Sequence, residues 1–382
     1  MQMILSIAFI AVLATAILIV LRWGSVKCTG PMPVSMFTFI AILFTSGLDV
    51  GLIMFPLTEF PVYAEDGAYS FTNPLAIEFG FWGFLVWGLY FLTTFYFCVV
   101  EPRLKLFEIP VVKIINNFVI ITTCAFTGFL FLSYLPDYIE GISDPARYLL
   151  VAAVVMAAVM SSTDIKYVKI LSISSTWLFF ALIAAIWFSS GMGVGGLASS
   201  LSNVGGYFSN IHRFVTPITE YHEFYLFWWF AWSIMIGQFV ARFVGGLKAW
   251  QLLAALLVFP SIPLAIWFAV LYFHFVFDQE VIGYLRMAMV VVGVLFVVNS
   301  LDSLIRLYTE NLGMTVDRFG KPVYILGNWV LMYGIILLYQ FTPFEIQWVG
   351  LVVIALYVGI YSILFIKRED VHAVVHRVRS SS

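Results

Sequence analysis

Tryptophan and tyrosine residues gather at short spacings in two apolar stretches of the chain. The stretch GFWGFLVWGLY contains Trp82, Trp87 and Tyr90, which one broad face of a helix can present together. The stretch FWWFAWSIMIGQFVARF adds three tryptophans: Trp228, Trp229 and Trp232. Converging aromatic faces bind a quaternary ammonium group by cation–π attraction, at about 0.5–2 kcal/mol for each good contact. Because tryptophan otherwise collects at membrane interfaces, this set deep in two predicted spans indicates a cage for a methylated ammonium ligand.

A carboxylate interrupts another apolar stretch, FTSGLDVGLIMFP, where Asp49 lies between Gly47 and Gly51. Charged groups at membrane depth are costly and mark ion or substrate pathways. Glycine is unfavourable inside a helix unless the backbone must bend. Three interpretations of Asp49 stay open: a titrating group that couples transport to protons, a partner for Na⁺ or a substrate ammonium, or a structural residue that hydrogen-bonds an unwound turn.

The composition requires that membrane-spanning helices position these residues. Of the 382 residues, 62% are hydrophobic and 10% are charged, whereas soluble domains carry about 25% charged residues. Apolar runs long enough to cross a bilayer recur along the chain. They predict an all-α polytopic membrane protein with about eleven spans, at residues 3–22, 36–57, 79–99, 112–134, 145–161, 168–190, 220–243, 250–275, 283–307, 323–342 and 346–366.

Positive charge gives the predicted orientation. With the N-terminus outside, all but three of the 19 Lys and Arg residues fall on the cytoplasmic side. This follows the positive-inside rule and predicts a multi-pass protein of the cell (inner) membrane with a cytoplasmic C-terminus. The net charge of −2 gives no basic footprint for nucleic acid. The cysteines Cys28, Cys98 and Cys124 have neither the spacing of a metal site nor an even count for disulfides.

Other ionisable residues in or near the spans have less specific interpretations. Glu59 and Glu78 are expected to face solvent or the membrane interface, because both fall at span ends. Asp302 is expected to hydrogen-bond a neighbouring helix. The side chains of Arg242 and Arg306 are expected to reach out to the cytoplasmic interface.

Glycine indicates a second, weaker helix break in the seventh span, near Gly237. The second and seventh spans are five apart and run in opposite directions, as an inverted repeat of five-span units with discontinuous helices predicts. Close helix packing at small residues is the alternative. Residues 195–214, between the sixth and seventh spans, are too polar to cross the membrane and are expected to form an amphipathic helix at the outer surface.

In their order along the chain, these motifs resemble the betaine/choline/carnitine transporter family over nearly the whole sequence. The glycine-rich stretch that ends in LTEFP, the Trp, Trp and Tyr spacing of GFWGFLVWGLY, the Trp-rich stretch that ends in Ala-Arg, and VLFVVNSLDSL are each similar to a family segment. The family usually has one more span before the core and long charged tails, so the chain looks like a short member.

The resemblance implies a leucine-transporter-like (LeuT-like) fold with a 5+5 inverted-repeat core. The expected organisation is an extra N-terminal helix and connector (1–30), a first five-span repeat (31–190), an amphipathic surface helix (191–215), a second repeat (216–367) and a short cytoplasmic tail (368–382). The surface helix is similar to one that forms trimers in the family, which implies a homotrimer.

The resemblance also implies site residues. The substrate-binding set comprises Trp82, Trp87, Tyr90, Trp229, Trp232, Trp228, Gly47, Asp49 and Gly51. The sodium positions comprise Leu48, Phe296, Asn299, Ser300, Thr123 and Thr127. Asn299 stands where the family has Thr, and Met235 where a second sodium site has an aromatic residue, so Na⁺ coupling and proton coupling through Asp49 both stay open.

The predicted function is that of a secondary transporter that imports a small quaternary-ammonium or methylated-amine compound, such as glycine betaine, choline or carnitine, by alternating access. A Na⁺ or H⁺ gradient would drive it, with no other cofactor, and its partners would be the substrate and membrane lipid. An enzyme is not expected, because neither a DxxxD cluster at a span end nor an HExxH motif is present. A substrate/product exchanger independent of ion gradients and a transporter-like sensor stay open as alternatives.

Overall fold

A computed structural model describes residues 1–48 and 50–380, and the chain is 82% helical. The first half contains α1 (Gln2–Trp23), α2 (Met36–Gly47), α3 (Gly51–Glu65), α4 (Pro74–Trp82), α5 (Val86–Phe95), α6 (Glu101–Leu104), α7 (Pro110–Tyr138), α8 (Asp144–Ser161) and α9 (Lys166–Ser189). The second half contains α10 (Val194–Ser202), α11 (Gly205–Ser209), α12 (Glu220–Val240), α13 (Ala249–Val258), α14 (Ser261–Val276), α15 (Gly283–Leu312), α16 (Val316–Phe319), α17 (Lys321–Phe341), α18 (Ile346–Ile366) and α19 (Arg368–Ser380).

Shorter elements connect these helices. A π-helical turn lies at Tyr96–Val100, and 3-10 turns lie at Gly67–Tyr69, Leu106–Glu108, Ile211–Phe214 and Ala241–Phe243. Strand β1 (Lys27–Thr29) pairs antiparallel with β2 (Gly245–Lys248) and so joins the segment after α1 to the segment after α12.

The helices confirm the all-α membrane architecture predicted from the sequence. Within the described residues, ten helical segments are long and apolar enough to cross a membrane, and the bent pair α2 and α3 supplies an eleventh. The central spans are α12 and α15. In the apolar 18-residue stretch of each, 89% and 78% of the residues are buried, respectively. In the corresponding stretches of α1, α8 and α17, only 28% of the residues are buried. The outer faces of these helices are apolar surfaces suited to lipid.

The second span is broken where the glycine pattern predicts. Helix α2 ends at Gly47, Leu48 is extended (φ −121°, ψ 157°), and α3 begins at Gly51 after a bend of 55°. Asp49 itself lies outside the described residues. A second irregularity follows at Pro56, whose missing N–H frees the carbonyl of Leu52. The indole Nε1 of Trp267 donates to that carbonyl at 2.8 Å, so α14 stabilises the irregular turn.

The predicted break near Gly237 is wrong, because α12 is continuous from Glu220 to Val240. A Cβ atom at Gly237 would lie 2.0 Å from Thr93 Oγ1. Gly237 is therefore required for the close approach of α12 to α5, which is the small-residue packing that the sequence left open.

The third span is broken instead, after Trp82, and this contradicts the prediction that Trp82, Trp87 and Tyr90 share one helix face. Helix α4 ends at Trp82 and α5 begins at Val86. The N–H groups that the break leaves free find side-chain acceptors elsewhere in the fold. The N–H of Phe84 donates to Ser261 Oγ at 3.0 Å, and that of Leu85 donates to Tyr207 Oη at 3.3 Å. The surface segment that contributes Tyr207 consists of α10, α11 and a 3-10 turn, not of one amphipathic helix.

Candidate functional site

Three aromatic side chains converge on the backbone at the end of α2. The indole Nε1 of Trp232 donates to the Gly47 carbonyl at 2.9 Å, and the hydroxyl of Tyr90 donates to the same oxygen at 3.2 Å. The Trp87 ring lies over Gly47, where an added Cβ would be 3.4 Å from it. Because α2 stops here, this carbonyl lies at a helix C-terminus, where the helix dipole favours positive charge.

A second aromatic group lies nearer the other end of the span. Trp82 meets Trp228 and Trp229 edge-on, with ring centroids 5.4 and 5.2 Å apart, and Trp228 and Trp229 stack at 4.8 Å. Trp229 Nε1 donates to the Phe81 carbonyl at 2.6 Å. Trp228 also meets Trp232 edge-on at 6.4 Å, which connects this group to the one around Gly47.

The predicted cage residues thus form two adjoining groups rather than one ring around a single point. Each of the six side chains is at most 1% exposed, so the rings pack against one another and a ligand would have to separate them. The indole nitrogens of Trp82, Trp87 and Trp228 have no hydrogen-bond partner among the described groups. Aromatic faces and backbone carbonyls together can hold a cation without a formal negative charge.

The opposite side of the α2 terminus faces α15. The Ser300 hydroxyl lies 3.3 Å from the carbonyl oxygen of Thr45 and 3.1 Å from that of Leu48, and donates toward both. Asn299 Oδ1 accepts from Ser172 Oγ on α9 at 3.3 Å. The ring of Phe296, one turn earlier on α15, packs edge-on against Phe44 of α2.

The structure thus brings Leu48, Phe296, Asn299 and Ser300 together, four of the six residues predicted for sodium. The oxygens at this junction are neutral carbonyl, amide and hydroxyl groups. Unwound backbone carbonyls of this kind coordinate Na⁺ in transporters with broken helices. The other two residues, Thr123 and Thr127, are buried on α7. The Thr123 hydroxyl has no hydrogen-bond partner among the described groups, and the role of this pair stays a prediction.

The described residues contain no group of three or more His, Cys, Asp or Glu side chains that could hold a metal ion. The three cysteines are free thiols.

Glu59 and Glu78 are buried, which contradicts the expected exposure at span ends. Glu59 is 2% exposed, and its carboxylate accepts hydrogen bonds from Tyr63 and Tyr225, both at 2.7 Å, and from Tyr221. Glu78 is fully buried, and neither of its oxygens has a hydrogen-bond partner among the described groups.

This acidic cluster is not predicted by the sequence pattern. The i,i+4 spacing of Glu59 with Tyr63, and of Tyr221 with Tyr225, could have suggested it, but their contact joins α3 to α12. Next to the cluster, outside the spans, the Tyr69 hydroxyl lies 2.7 Å from Thr219 Oγ1. Burial raises the pKa of Tyr69 to about 12, so this hydroxyl stays neutral at ordinary pH.

The side chain of Arg306 does not extend to the membrane interface as expected. Arg306 is buried, and its Nη2 donates to Asp302 Oδ1 at 3.1 Å on the same helix and to the Asp164 carbonyl at 3.0 Å. Asp302 therefore pairs within α15, the Ser161 side chain of α8 also lies within interaction range of its carboxyl group, and Arg306 ties α15 to the connection between α8 and α9. Arg242 pairs with Glu310 at 2.5 Å.

Comparisons with known proteins identify relatives of this chain. The chain is 23% identical to a glycine betaine transporter of Acinetobacter baylyi, over 60% of this chain and 41% of that protein. It is 27% identical to an uncharacterized transporter of Haemophilus influenzae, over 62% of this chain and 42% of that protein. The chain thus spans about two fifths of the length of these curated relatives.

Among solved structures, the chain resembles a Na⁺-coupled sialic acid symporter in a substrate-bound, outward-open state. The TM-score is 0.50 at 12% identity, over 92% of this chain and 84% of that one, and the likeness confirms the LeuT-like fold alone. The model of the betaine/carnitine/choline (BCCT) transporter family matches residues 109–280. This match bears out the resemblance to that family which the sequence motifs indicated.

Proposed function

We propose that the chain is a secondary transporter that imports a small quaternary-ammonium or methylated-amine compound, of the glycine betaine, choline or carnitine type, by alternating access. It would act as a carrier and not as an enzyme. The observation that carries the proposal is the convergence of Trp87, Tyr90 and Trp232 on Gly47, at the break between α2 and α3. A broken helix end beside aromatic faces is suited to a cation that carries methyl groups.

The packing of the rings supports a mechanism with more than one state. Because the rings are buried against one another, the substrate would bind after α3 and α4 move apart from α12 on the outer side. Trp82, Trp87, Tyr90 and Trp229 would then surround the ammonium headgroup. Trp228 and Trp232 would border the pathway, and the backbone from Gly47 to Gly51 would supply polar contacts.

Sodium is our proposed coupling ion at the junction of α2 and α15. The carbonyls of Thr45 and Leu48, with Ser300 Oγ and Asn299 Oδ1, would be its ligands, and Na⁺ would displace the hydroxyl contacts made by Ser300. Proton coupling through Asp49 is the alternative proposal from the sequence. Exchange without an ion gradient, or ligand sensing without transport, would follow if neither ion drives uptake.

For location and assembly, we propose a multi-pass protein of the cell (inner) membrane with the N-terminus outside and the C-terminus in the cytoplasm. A homotrimer through the surface segment 191–215 is proposed from the family resemblance. The exposed apolar side chains of Val194 and Phe208 on that segment support a contact there.

The test is uptake of labelled glycine betaine and choline into proteoliposomes under a Na⁺ gradient, an H⁺ gradient or neither. Trp229→Leu should abolish uptake with folding intact, because Trp229 contacts both Trp82 and Trp228. The matched control is Trp177→Leu, which changes a lipid-facing tryptophan that is 58% exposed and should leave uptake unchanged. Full uptake by Trp229→Leu would exclude the cage, and flux of neither compound without preloaded substrate would favour the exchanger or the sensor.

A further inference from the structure

Two buried carboxyl groups lie side by side where α3, α4 and α12 meet, toward the end of these spans opposite the Arg306 contact. Glu59 comes from α3 and Glu78 from α4, and the Glu78 carboxyl lies within interaction range of Glu59, Tyr63 and Trp82. Both glutamates are at most 2% exposed. The site adjoins the aromatic groups, because Trp82 follows Glu78 by one helical turn and Tyr225 meets Trp82 edge-on at 5.7 Å.

The two carboxyl groups have different hydrogen-bond environments. Three tyrosine hydroxyls donate to Glu59, which is the pattern that an ionised carboxylate accepts. Glu78 has two buried oxygens without a partner among the described groups. Such a group is costly when it is charged and cheaper when it is protonated, because a carboxylic acid can donate to a neighbouring carboxylate.

Among the described residues, no positively charged side chain faces the two carboxyl groups. The titratable side chains around them are Tyr63 of α3, Tyr69 of the following 3-10 turn, Tyr134 and Tyr138 of α7, and Tyr221, His222 and Tyr225 of α12. His222 is buried and stacks on Phe81 at 4.6 Å. The described interactions of the two carboxyl groups include no Lys or Arg. Two adjacent carboxyl groups in such a site share one proton, because both cannot ionise together.

We propose that Glu59 and Glu78 form a proton-binding site, in which Glu78 holds the proton and Glu59 the negative charge, and that the proton is taken up from the outside as α3, α4 and α12 close together. Tyr221 is half-buried at the outer edge of the cluster, so parting α12 from α3 admits water to Glu59. The effect on transport rests on the proposed function, whereas the proton site itself does not.

The proton site is tested first without transport. Infrared spectra of the purified protein, recorded between acid and alkaline pH, should show the carbonyl stretch of a buried protonated carboxyl group. Glu78→Gln keeps the shape of the side chain and should remove that band. Glu65→Gln is the matched control, because it changes an exposed glutamate on α3, and should keep the band. Size-exclusion profiles and melting temperatures establish that each variant is folded.

A second experiment measures initial uptake against external pH at fixed internal pH. As the external pH rises and the site loses its proton, uptake by the wild type should fall by up to about tenfold for each pH unit, as expected for a single bound proton. Glu78→Gln should have a flat profile in the same range. Tyr63→Phe removes one donor from ionised Glu59 and should move the fall to higher pH, because the pair then releases its proton less readily.

The two experiments separate failure of this inference from failure of the proposed function. If the infrared band is present but no uptake is measured, the proton site is supported and the proposed transport function fails. Uptake without the band overturns the proton site and leaves the transporter. A pH profile that is lost in Asp49→Asn or His222→Gln, and kept in Glu78→Gln, overturns the proposal. If Glu59 and Glu78 give no infrared band and respond instead to the concentration of Na⁺ or K⁺, the proton site is also overturned, and the pair binds a metal cation.

Discussion

At the scale of single residues, the hydroxyl of Ser300 joins α15 to the carbonyls at the end of α2. Ser300→Ala should lower the free energy of unfolding by about 0.5–1.5 kcal/mol, because it removes a buried hydrogen bond to the broken helix. If Na⁺ binds at this junction, Na⁺ should raise the melting temperature of the wild type above its value in K⁺ at equal ionic strength. The variant should lose that difference. Thermal unfolding in detergent measures both effects.

The control for this prediction is Ser362→Ala, since Ser362 makes a similar bond to a helix carbonyl, Val358 O, on an exposed surface. It should change neither the stability nor the response to Na⁺. A wild-type melting temperature that is equal in Na⁺ and K⁺ would contradict a sodium site, whatever the stability of Ser300→Ala.

At the scale of elements, the contact of α12 with α5 depends on Gly237. Gly237→Ala adds a methyl group at a point that Thr93 Oγ1 already occupies, so the helices must separate or Thr93 must rotate. Thr93 also donates to the Ser233 carbonyl at 2.8 Å, which limits its rotation. We expect a loss of about 1–3 kcal/mol in the free energy of unfolding, read from thermal melting of the purified protein.

Gly327→Ala is the matched control, because Gly327 lies within α17 and has open space where the methyl group would go. It should be neutral or slightly stabilising, since alanine is the better helix former. Equal melting temperatures for the two variants would show that the close approach of α12 and α5 contributes little to stability.

At the scale of the whole molecule, the proposed orientation with eleven spans would place the first and last residues of the chain on opposite sides of the membrane. A cysteine at the exposed position Glu140, between α7 and α8, should react with a membrane-impermeant thiol reagent in intact cells. A cysteine at the exposed position Lys367, after α18, should react only after permeabilisation. The native cysteines are free, and Cys28 and Cys124 are buried, so the unsubstituted protein gives the background.

Labelling of Lys367→Cys in intact cells would reverse the proposed orientation. Labelling of both positions in intact cells would mean an even number of membrane crossings between them. That contradicts the seven spans of the described residues between these positions, which are α8, α9, α12, the α13–α14 pair, α15, α17 and α18. The second result would also remove the basis for placing Glu59 and Glu78 in the outer half.

Composition and local pattern were sufficient for the spans and for the break at Gly47. A run of apolar residues can satisfy its backbone hydrogen bonds in a bilayer only as a helix, so hydropathy predicts each span from its own residues. The family motifs are likewise local, and they led to the aromatic residues and to the junction of Ser300 with α2. For the same reason the sequence could not place Trp82 on its own helix, because the partners that stabilise the break, Ser261 and Tyr207, are distant in the chain.

The sequence by itself therefore determined the membrane class, the span order, the family resemblance and the types of side chain available to a cationic ligand. Only the tertiary structure decided that α12 is continuous at Gly237, that Arg306 is buried, and that Glu59 and Glu78 meet beneath tyrosines from α12. The physical reason is that burial and charge pairing depend on which helices pack together. A glutamate at a span end has the same local sequence whether a neighbouring helix covers it or water does.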